Sequence, residues 1–184
     1  MKKLFSLLAF VAVFVFLFQS CKKEESLKFD YNGEKITLTL KPNSNSPLSY
    51  DTANTVYFNA DSMATANKFP REALKDITIT DMEFNLLTSA PDQNFDLFET
   101  MNGSINTTQN PSPVSIFNTS KISSRTANKI VVSGINQNIK DQVFSNKYFK
   151  FDLEGALKDT LKKTITIEVK FTYAVSMLGV KLKK

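Results

Sequence analysis

The sequence predicts an all-β fold, an antiparallel β-sandwich, on three observations. Apolar and polar residues alternate through residues 164–173, which is typical of a strand with one buried face. Short apolar runs are separated by turn-forming residues about every ten positions. After residue 26 no long stretch has the 3.6-residue apolar period of an amphipathic helix.

Residues 27–40 carry the clearest local signal. Apolar residues alternate with polar ones on both sides of Asn32-Gly33, a pair that favours the two-residue type I′ turn. In that register Asp30 faces Lys35, so opposite charges meet across the strands. The pattern predicts a β-hairpin that turns at Asn32-Gly33.

A polar stretch follows this predicted hairpin. Its proline, serine and asparagine residues predict a loop over residues 41–54, before a short strand at Val56. We expect residues 61–69 to be irregular. One helical turn is predicted from Pro70, because proline suits the first position of a helix.

Residues 76–88 form a predicted strand whose apolar positions change parity. They are odd up to Ile79 and even from Met82 onwards. One extra residue in the strand would return both sets to the same face. The pattern therefore predicts a β-bulge at Thr80-Asp81.

The second half of the chain predicts short strands between polar connections. Phe95, Phe98 and Met101 are spaced by three, which suits a helical turn or an exposed apolar lid over a ligand, although such residues more often fill a core. Residues 102–113 are polar and predict a long crossing. We expect strands at 114–117, 130–132, 149–153 and 165–173, and one helical turn within 136–144.

Seven to nine short strands of this kind resemble an immunoglobulin-like sandwich in outline, without its hallmark cysteines and tryptophan. A calycin-type β-barrel uses the same alternation and is the alternative. The chain has no internal repeat and no second domain boundary, so residues 27–184 are predicted to form a single domain.

The first 20 residues have the layout of a secretory signal peptide. Lys2 and Lys3 form a positive segment, and residues 4–18 are apolar apart from Ser6. This run is shorter than the roughly 20 residues that a helix needs to cross a bilayer. We therefore expect residues 1–20 to be a cleaved signal rather than a permanent anchor.

Cys21 closes this segment and is the only cysteine in the chain. A lone cysteine in an exported protein cannot form an internal disulfide, whereas lipidation explains it. Residues 17–21, LFQSC, resemble a bacterial lipobox. The resemblance implies that Cys21 receives a diacylglyceryl thioether and further acylation, such as palmitate, and that residues 21–26 become a lipidated tether.

The charged residues that follow are Lys22, Lys23, Glu24 and Glu25. A lysine followed by two acidic residues behind the lipidated cysteine is similar to the surface-export signal of Bacteroidota outer-membrane lipoproteins. The resemblance implies a protein anchored in the outer membrane and exposed on the cell surface. The alternative is a solvated tether on a domain that faces the periplasm.

Composition argues against several functional classes. The net charge is +5, and residues 1–20 carry two lysines and no acid, so removing them leaves +3. A net charge this small does not indicate the clustered basic surface that nucleic-acid binding requires. The chain has no histidine, which excludes Ser/His/Asp catalysis and the usual zinc sites. We expect a non-catalytic protein without a cofactor or metal.

Residues 92–96, DQNFD, match the first three oxygen-ligand positions of a calcium loop. The match then fails, because Leu97 stands where the loop needs glycine and Gly103 where it needs a bidentate glutamate. We interpret this segment as a polar turn.

Three triplets resemble the Bacteroidota O-glycosylation motif. They are Asp51-Thr52-Ala53, Asp61-Ser62-Met63 and Asp159-Thr160-Leu161. The resemblance makes Thr52, Ser62 and Thr160 candidate modification sites.

These observations favour an outer-membrane lipoprotein that binds something rather than transforming it. Its partner would be a glycan, another cell, or an outer-membrane protein to which it is an accessory subunit. A barrel that carries a lipid or other small apolar ligand is the second hypothesis. A glycan-active enzyme is the third, because glycoside hydrolysis needs only two suitably spaced carboxylates.

Replacing Cys21 by alanine tests the anchor. We expect the variant to lose incorporation of labelled palmitate, because the thiol that would carry the lipid is gone. A Ser20→Ala variant is the control and stays labelled. Palmitate incorporation by the Cys21→Ala protein would contradict lipidation at Cys21.

Overall fold

The structure, a computed structural model, describes residues 27–42, 48–87, 94–106, 112–119, 122–126 and 128–178. Most of these residues are in strands, and two short helices and two 3-10 turns lie between the strands. In chain order the elements are β1 (Leu27–Leu40), β2 (Ser49–Tyr57), α1 (Ala60–Ala66), a 3-10 turn (Arg71–Ala73), β3 (Leu74–Leu86), a second 3-10 turn (Phe95–Leu97), β4 (Phe98–Asn106), β5 (Val114–Phe117), β6 (Ile122–Thr126), β7 (Lys129–Asn138), α2 (Lys140–Asn146), β8 (Tyr148–Leu157) and β9 (Ile165–Met177).

The strands form two packed antiparallel sheets, which confirms the predicted β-sandwich. Sheet A has the order β1-β9-β3-β7-β6, and sheet B has the order β2-β8-β4-β5. The pairs β1·β9, β2·β8, β3·β7 and β4·β5 are nested and alternate between the sheets. This nested order is that of a jelly roll rather than of immunoglobulin domains. The two sheets of the described residues stay open, so the alternative of a closed calycin-type barrel is wrong.

The predicted hairpin at Asn32-Gly33 is wrong. Residues 27–40 are one strand that pairs with β9 along its whole length, and Asn32-Gly33 lies at an irregularity in that pairing. A side chain at position 33 would clash with the ring of Tyr173, so glycine is needed here for close packing instead of a turn. Lys35 pairs with Glu168 of β9 at 2.9 Å and not with Asp30.

The bulge predicted in β3 is confirmed. The pairing of β3 shifts register between Ile79 and Asp81 against both of its neighbours, β7 and β9. The Thr80 hydroxyl donates to the carbonyl of Thr172 at 3.2 Å. Ile79 and Met82 are both buried, so the bulge does return the two apolar sets to the core.

The core lies between the two sheets and is rich in phenylalanine. The inward residues of β9, from Ile165 to Tyr173 at alternate positions, are fully buried. On sheet B, Phe149 and Phe151 meet Phe171 of β9 edge to face, with ring centroids 5.7 and 5.4 Å apart. Aromatic side chains of the two sheets therefore meet directly across the space between them.

Several segments expected to be irregular are regular. β2 occupies residues 49–54 of the predicted loop 41–54, while residues 43–47 of that loop lie outside the described residues. The polar residues of β2 are tied to β1: Asn54 Nδ2 donates to the Thr37 carbonyl at 2.8 Å. α1 occupies residues expected to be irregular, since Asn59 caps it and Ala60, Met63 and Ala64 are buried.

Residues 95–106 also differ from expectation, whereas residues 107–111 of the predicted crossing 102–113 lie outside the described residues. β4 extends to Asn106, because its polar residues face outward while Met101, Gly103 and Ile105 face inward. The lid interpretation of Phe95, Phe98 and Met101 is wrong, since all three belong to the core. The expected helical turns at Pro70 and within 136–144 are present as the 3-10 turn Arg71–Ala73 and α2.

Replacing Gly103 by alanine tests the packing between β4 and β5. A β-carbon at this position would clash with the ring of Phe117, and overpacking of this kind typically costs about 1–3 kcal/mol. We expect urea unfolding to show a loss of that size. Phe117→Leu should cost less in the Gly103→Ala background than in the native protein, and strictly additive losses would contradict the contact.

Candidate functional site

The outward side of sheet B carries a continuous polar surface, here called the B face. Inward residues of its central strand β8, such as Phe149, Phe151 and Leu153, are fully buried, so the intervening residues point outward. β8 is hydrogen-bonded to β2 on one side and to β4 on the other. Its outward side chains are therefore held by a backbone that is fixed on both sides.

Register brings residues from distant parts of the chain together on the B face. Asp51 of β2, Glu154 of β8 and Asn102 of β4 lie side by side. Asp152 is the next outward residue of β8 after Glu154. It lies opposite Ser104 of β4, and Ser104 lies opposite Ser115 of β5. A groove of about 430 Å³ runs over these strands, within the size range of ligand sites. Its lining residues are Asp51, Asn102, Gly103, Ser104, Asn106, Pro113, Ser115, Lys150, Asp152 and Glu154.

The charges of the groove are only partly paired. Asp152 accepts a hydrogen bond from Asn106 Nδ2 at 2.9 Å and pairs with Lys150 at 2.8 Å. Asp51 and Glu154 stand directly opposite each other on neighbouring strands. Both side chains are exposed, so these two carboxylates are open to solvent and to a ligand.

A pair of tyrosines, one exposed and one half-buried, lies at one end of the B face. Tyr57 of β2 is opposite Tyr148 of β8, and their ring centroids are 6.0 Å apart. Tyr57 is 64% exposed, which is high for a large aromatic side chain. From Tyr148 to Glu154 the face is about 20 Å long, at roughly 3.3 Å per residue.

Buried contacts beneath the groove fix its floor. The Tyr50 hydroxyl donates to the Thr100 carbonyl at 2.8 Å, and its ring meets Phe98 edge to face at 5.3 Å. Burial, with a smaller contribution from the Glu154 charge, raises the pKa of Tyr50. The tyrosine therefore stays protonated and keeps donating to β4.

The outward side of sheet A has a smaller groove of about 240 Å³. Its carboxylate is already satisfied, because Asp76 accepts from Asn138 at 3.0 Å and from Ser176 at 3.0 Å. Elsewhere on this side, hydrogen bonds from Lys129 and Asn85 hold the pKa of Glu83 below its usual range. These carboxylates of sheet A thus accept hydrogen bonds from neighbouring side chains of the same sheet.

The three candidate glycosylation sites lie in different settings and form no common site. Ser62 is exposed in the first turn of α1, and Thr160 is exposed in the connection between β8 and β9. Thr52 is half-buried in β2, and its hydroxyl donates to the Thr39 carbonyl at 3.3 Å.

The anchor residues Cys21, Lys22, Lys23, Glu24 and Glu25 lie outside the described residues, as do Asp92 and Gln93 of the calcium-like segment. Within the described part of the chain, no three His, Cys, Asp or Glu side chains could hold a metal ion together. No helix in that part is long and apolar enough to cross a membrane.

Sequence reasoning did not identify the B face as a site. The alternation of β8 was recognised, and its outward positions Lys150, Asp152 and Glu154 could have been read from it. Asp51 lies in the predicted loop 41–54 and Tyr57 in the short strand predicted after it, and nothing local to either residue indicates that it pairs with β8.

Comparisons with known proteins identify no family. No protein-family model matches the chain, and no curated protein matches it. Solved structures are similar to this chain only distantly. The decameric BFDV capsid protein is 14% identical with a TM-score of 0.42, over 83% of this chain and 99% of that one.

Two further structures are similar at the same distant level. A protein from Eubacterium rectale is 11% identical with a TM-score of 0.35, over 86% of this chain and 41% of that one. A chain in the structure of Desmodium yellow mottle tymovirus is 11% identical with a TM-score of 0.26, over 87% of this chain and 93% of that one. Likenesses this remote say nothing about what the chain binds.

The settings of the three triplets predict which of them is modified. In protein from its native host we expect glycans on Ser62 and Thr160 and none on Thr52, because the Thr52 hydroxyl is engaged with the backbone of β1. Peptide mapping by mass spectrometry measures the occupancy of each site. Full occupancy of Thr52 would contradict this ranking.

Proposed function

We propose that the mature chain is an outer-membrane lipoprotein, anchored through Cys21 and displayed on the cell surface, that binds a ligand on its B face without transforming it. The lipobox-like segment, the lone cysteine and the export-type residues Lys23, Glu24 and Glu25 support the anchor and the location. The groove on the B face supports the binding role and carries this part of the proposal.

The B face has the properties of a prepared binding surface. Its polar side chains stand on paired strands, which position functional groups more accurately than loops do. Asp51 and Glu154 are exposed side by side, and Tyr57 is 64% exposed. A ligand on the B face can therefore contact all three side chains.

The position of the tether is compatible with an accessible B face. Six residues, 21–26, separate the lipid from β1, which limits that distance to about 20 Å. β2 runs opposite to β1, since Thr52 contacts Thr39 and Asn54 contacts Thr37. The Tyr57 end of the B face is therefore nearer the tether, and the Asp51 end points away from it.

A glycan-active enzyme is the second candidate. It is favoured by Asp51 and Glu154, whose β-carbons should be about 5 Å apart as directly opposed residues, and glycosidases use carboxyl groups about 5–10 Å apart. Both side chains are exposed, however, whereas a general acid needs burial to raise its pKa. We therefore favour binding over hydrolysis.

Protease treatment of intact cells tests the location. We expect the native protein to be digested, and a variant with Lys23, Glu24 and Glu25 replaced by alanine to be protected, because the export signal is lost. A periplasmic protein that stays intact is the control for leakage. Protection of the native protein would contradict surface display and place the domain on the periplasmic side.

An assay for new reducing ends separates the two candidate activities. We expect the mature chain to release none from polysaccharides that it binds. Release that is abolished by Glu154→Gln would instead establish the enzyme.

A further inference from the structure

We propose that the B face binds an uncharged polysaccharide, whose chain lies along β8 with one sugar ring packed against the exposed Tyr57, beside Tyr148. This inference rests on the proposed binding function and names the ligand class. It is carried by the chemistry of the groove, by the tyrosine pair and by the length of the face.

The polar groups of the groove suit hydroxyl groups. Asp51, Asp152 and Glu154 accept hydrogen bonds, the Lys150 ammonium donates, and the amides and hydroxyls of Asn102, Asn106, Ser104 and Ser115 do both. A hydroxyl group also donates and accepts, so a polyol can satisfy neighbouring groups of both kinds at once. A ligand with acceptors only would leave the carboxylates unsatisfied.

The charge of the groove excludes an anionic ligand. Three carboxylates and one lysine line it, which leaves a local charge of −2. Lys150 is already paired with Asp152 at 2.8 Å. A uronic acid or sulfated polymer would therefore meet repulsion from Asp51 and Glu154.

The same charges disfavour a protein partner. The centres of protein interfaces are depleted of charged residues and carry aromatic or arginine anchors. Here the middle of the face carries the charged Lys150 and Asp152, Glu154 lies at one end, and the aromatic pair lies at the other.

The tyrosine pair gives a sugar ring an apolar surface. Sugar rings present C–H groups on their faces, which pack against aromatic rings, while their hydroxyls point sideways. Tyr57 is 64% exposed, and Tyr148 lies one outward position from Lys150 along β8. A ring stacked there would continue into the groove, and the length of about 20 Å suits several sugar units.

Affinity electrophoresis tests this proposal with the mature chain, residues 21–184, carrying Cys21→Ala so that no detergent is needed. The probes are native gels that contain a neutral polysaccharide, namely dextran, xyloglucan, galactomannan or yeast mannan, or an anionic one, polygalacturonate or heparin. We expect retardation by at least one neutral polymer and by neither anionic one. Retardation by no neutral polymer, or by the anionic polymers alone, overturns the proposal.

Two variants place the binding on the B face. We expect Tyr57→Ala to weaken binding about tenfold, because an exposed aromatic contact is lost without loss of the fold. Asn102→Ala removes a groove amide and should weaken it too. The matched control is Lys28→Ala, which alters the smaller groove on sheet A and should leave binding unchanged. Unchanged binding by Tyr57→Ala, with the same melting temperature as the native protein, overturns the proposal.

Failure of the glycan assignment is distinguishable from failure of the binding function. Crosslinking on intact cells provides the second readout. If no neutral polymer binds, but a crosslinked envelope protein is recovered with the native chain and lost with Tyr57→Ala, the B face is a binding site for protein and only the glycan assignment falls. If neither experiment depends on Tyr57, both proposals fall.

Discussion

The edge-to-face packing of phenylalanines between β8 and β9 is the interaction on which the rest of the structure depends. Phe149 and Phe151 of sheet B meet Phe171 of sheet A, and all three are fully buried. β9 also pairs with β1 and β3, and β8 with β2 and β4, so this contact joins an interior strand of each sheet. Because the inward residues of β8 supply the packing, its outward residues carry polar groups without weakening the core.

Local periodicity predicted those parts of the fold that local patterns determine. The alternation in β9 and the change of parity at Thr80 are properties of single strands, and both were interpreted correctly. The hairpin predicted at Asn32-Gly33 was wrong, because the local preference of these residues for a turn competes with pairing to β9 and with the bulk of Tyr173. The tertiary contact determined the outcome, and the glycine serves close packing.

The candidate site was harder to predict, because it is made of pairings across the chain. Outward polar residues on β8 look the same in sequence whether they serve solvation or binding. β2 has few apolar residues and depends on side-chain bonds from Asn54 and Thr52 to β1, so its pattern resembled a loop. Only the register shows that Asp51 faces Glu154 and that Tyr57 faces Tyr148.

The most direct test of the account is to map ligand contacts by NMR on isotope-labelled mature chain carrying Cys21→Ala. Titration with a neutral oligosaccharide cut from a polymer that binds should shift the amide signals of β2, β4 and β8, most strongly around Tyr57, Lys150 and Glu154. The amide signals of β1, β3 and β9 should stay unchanged, because these strands belong to sheet A, whose outward side faces away from the B face. Shifts centred on sheet A or on the helices α1 and α2 would contradict the assignment of the B face as the working surface.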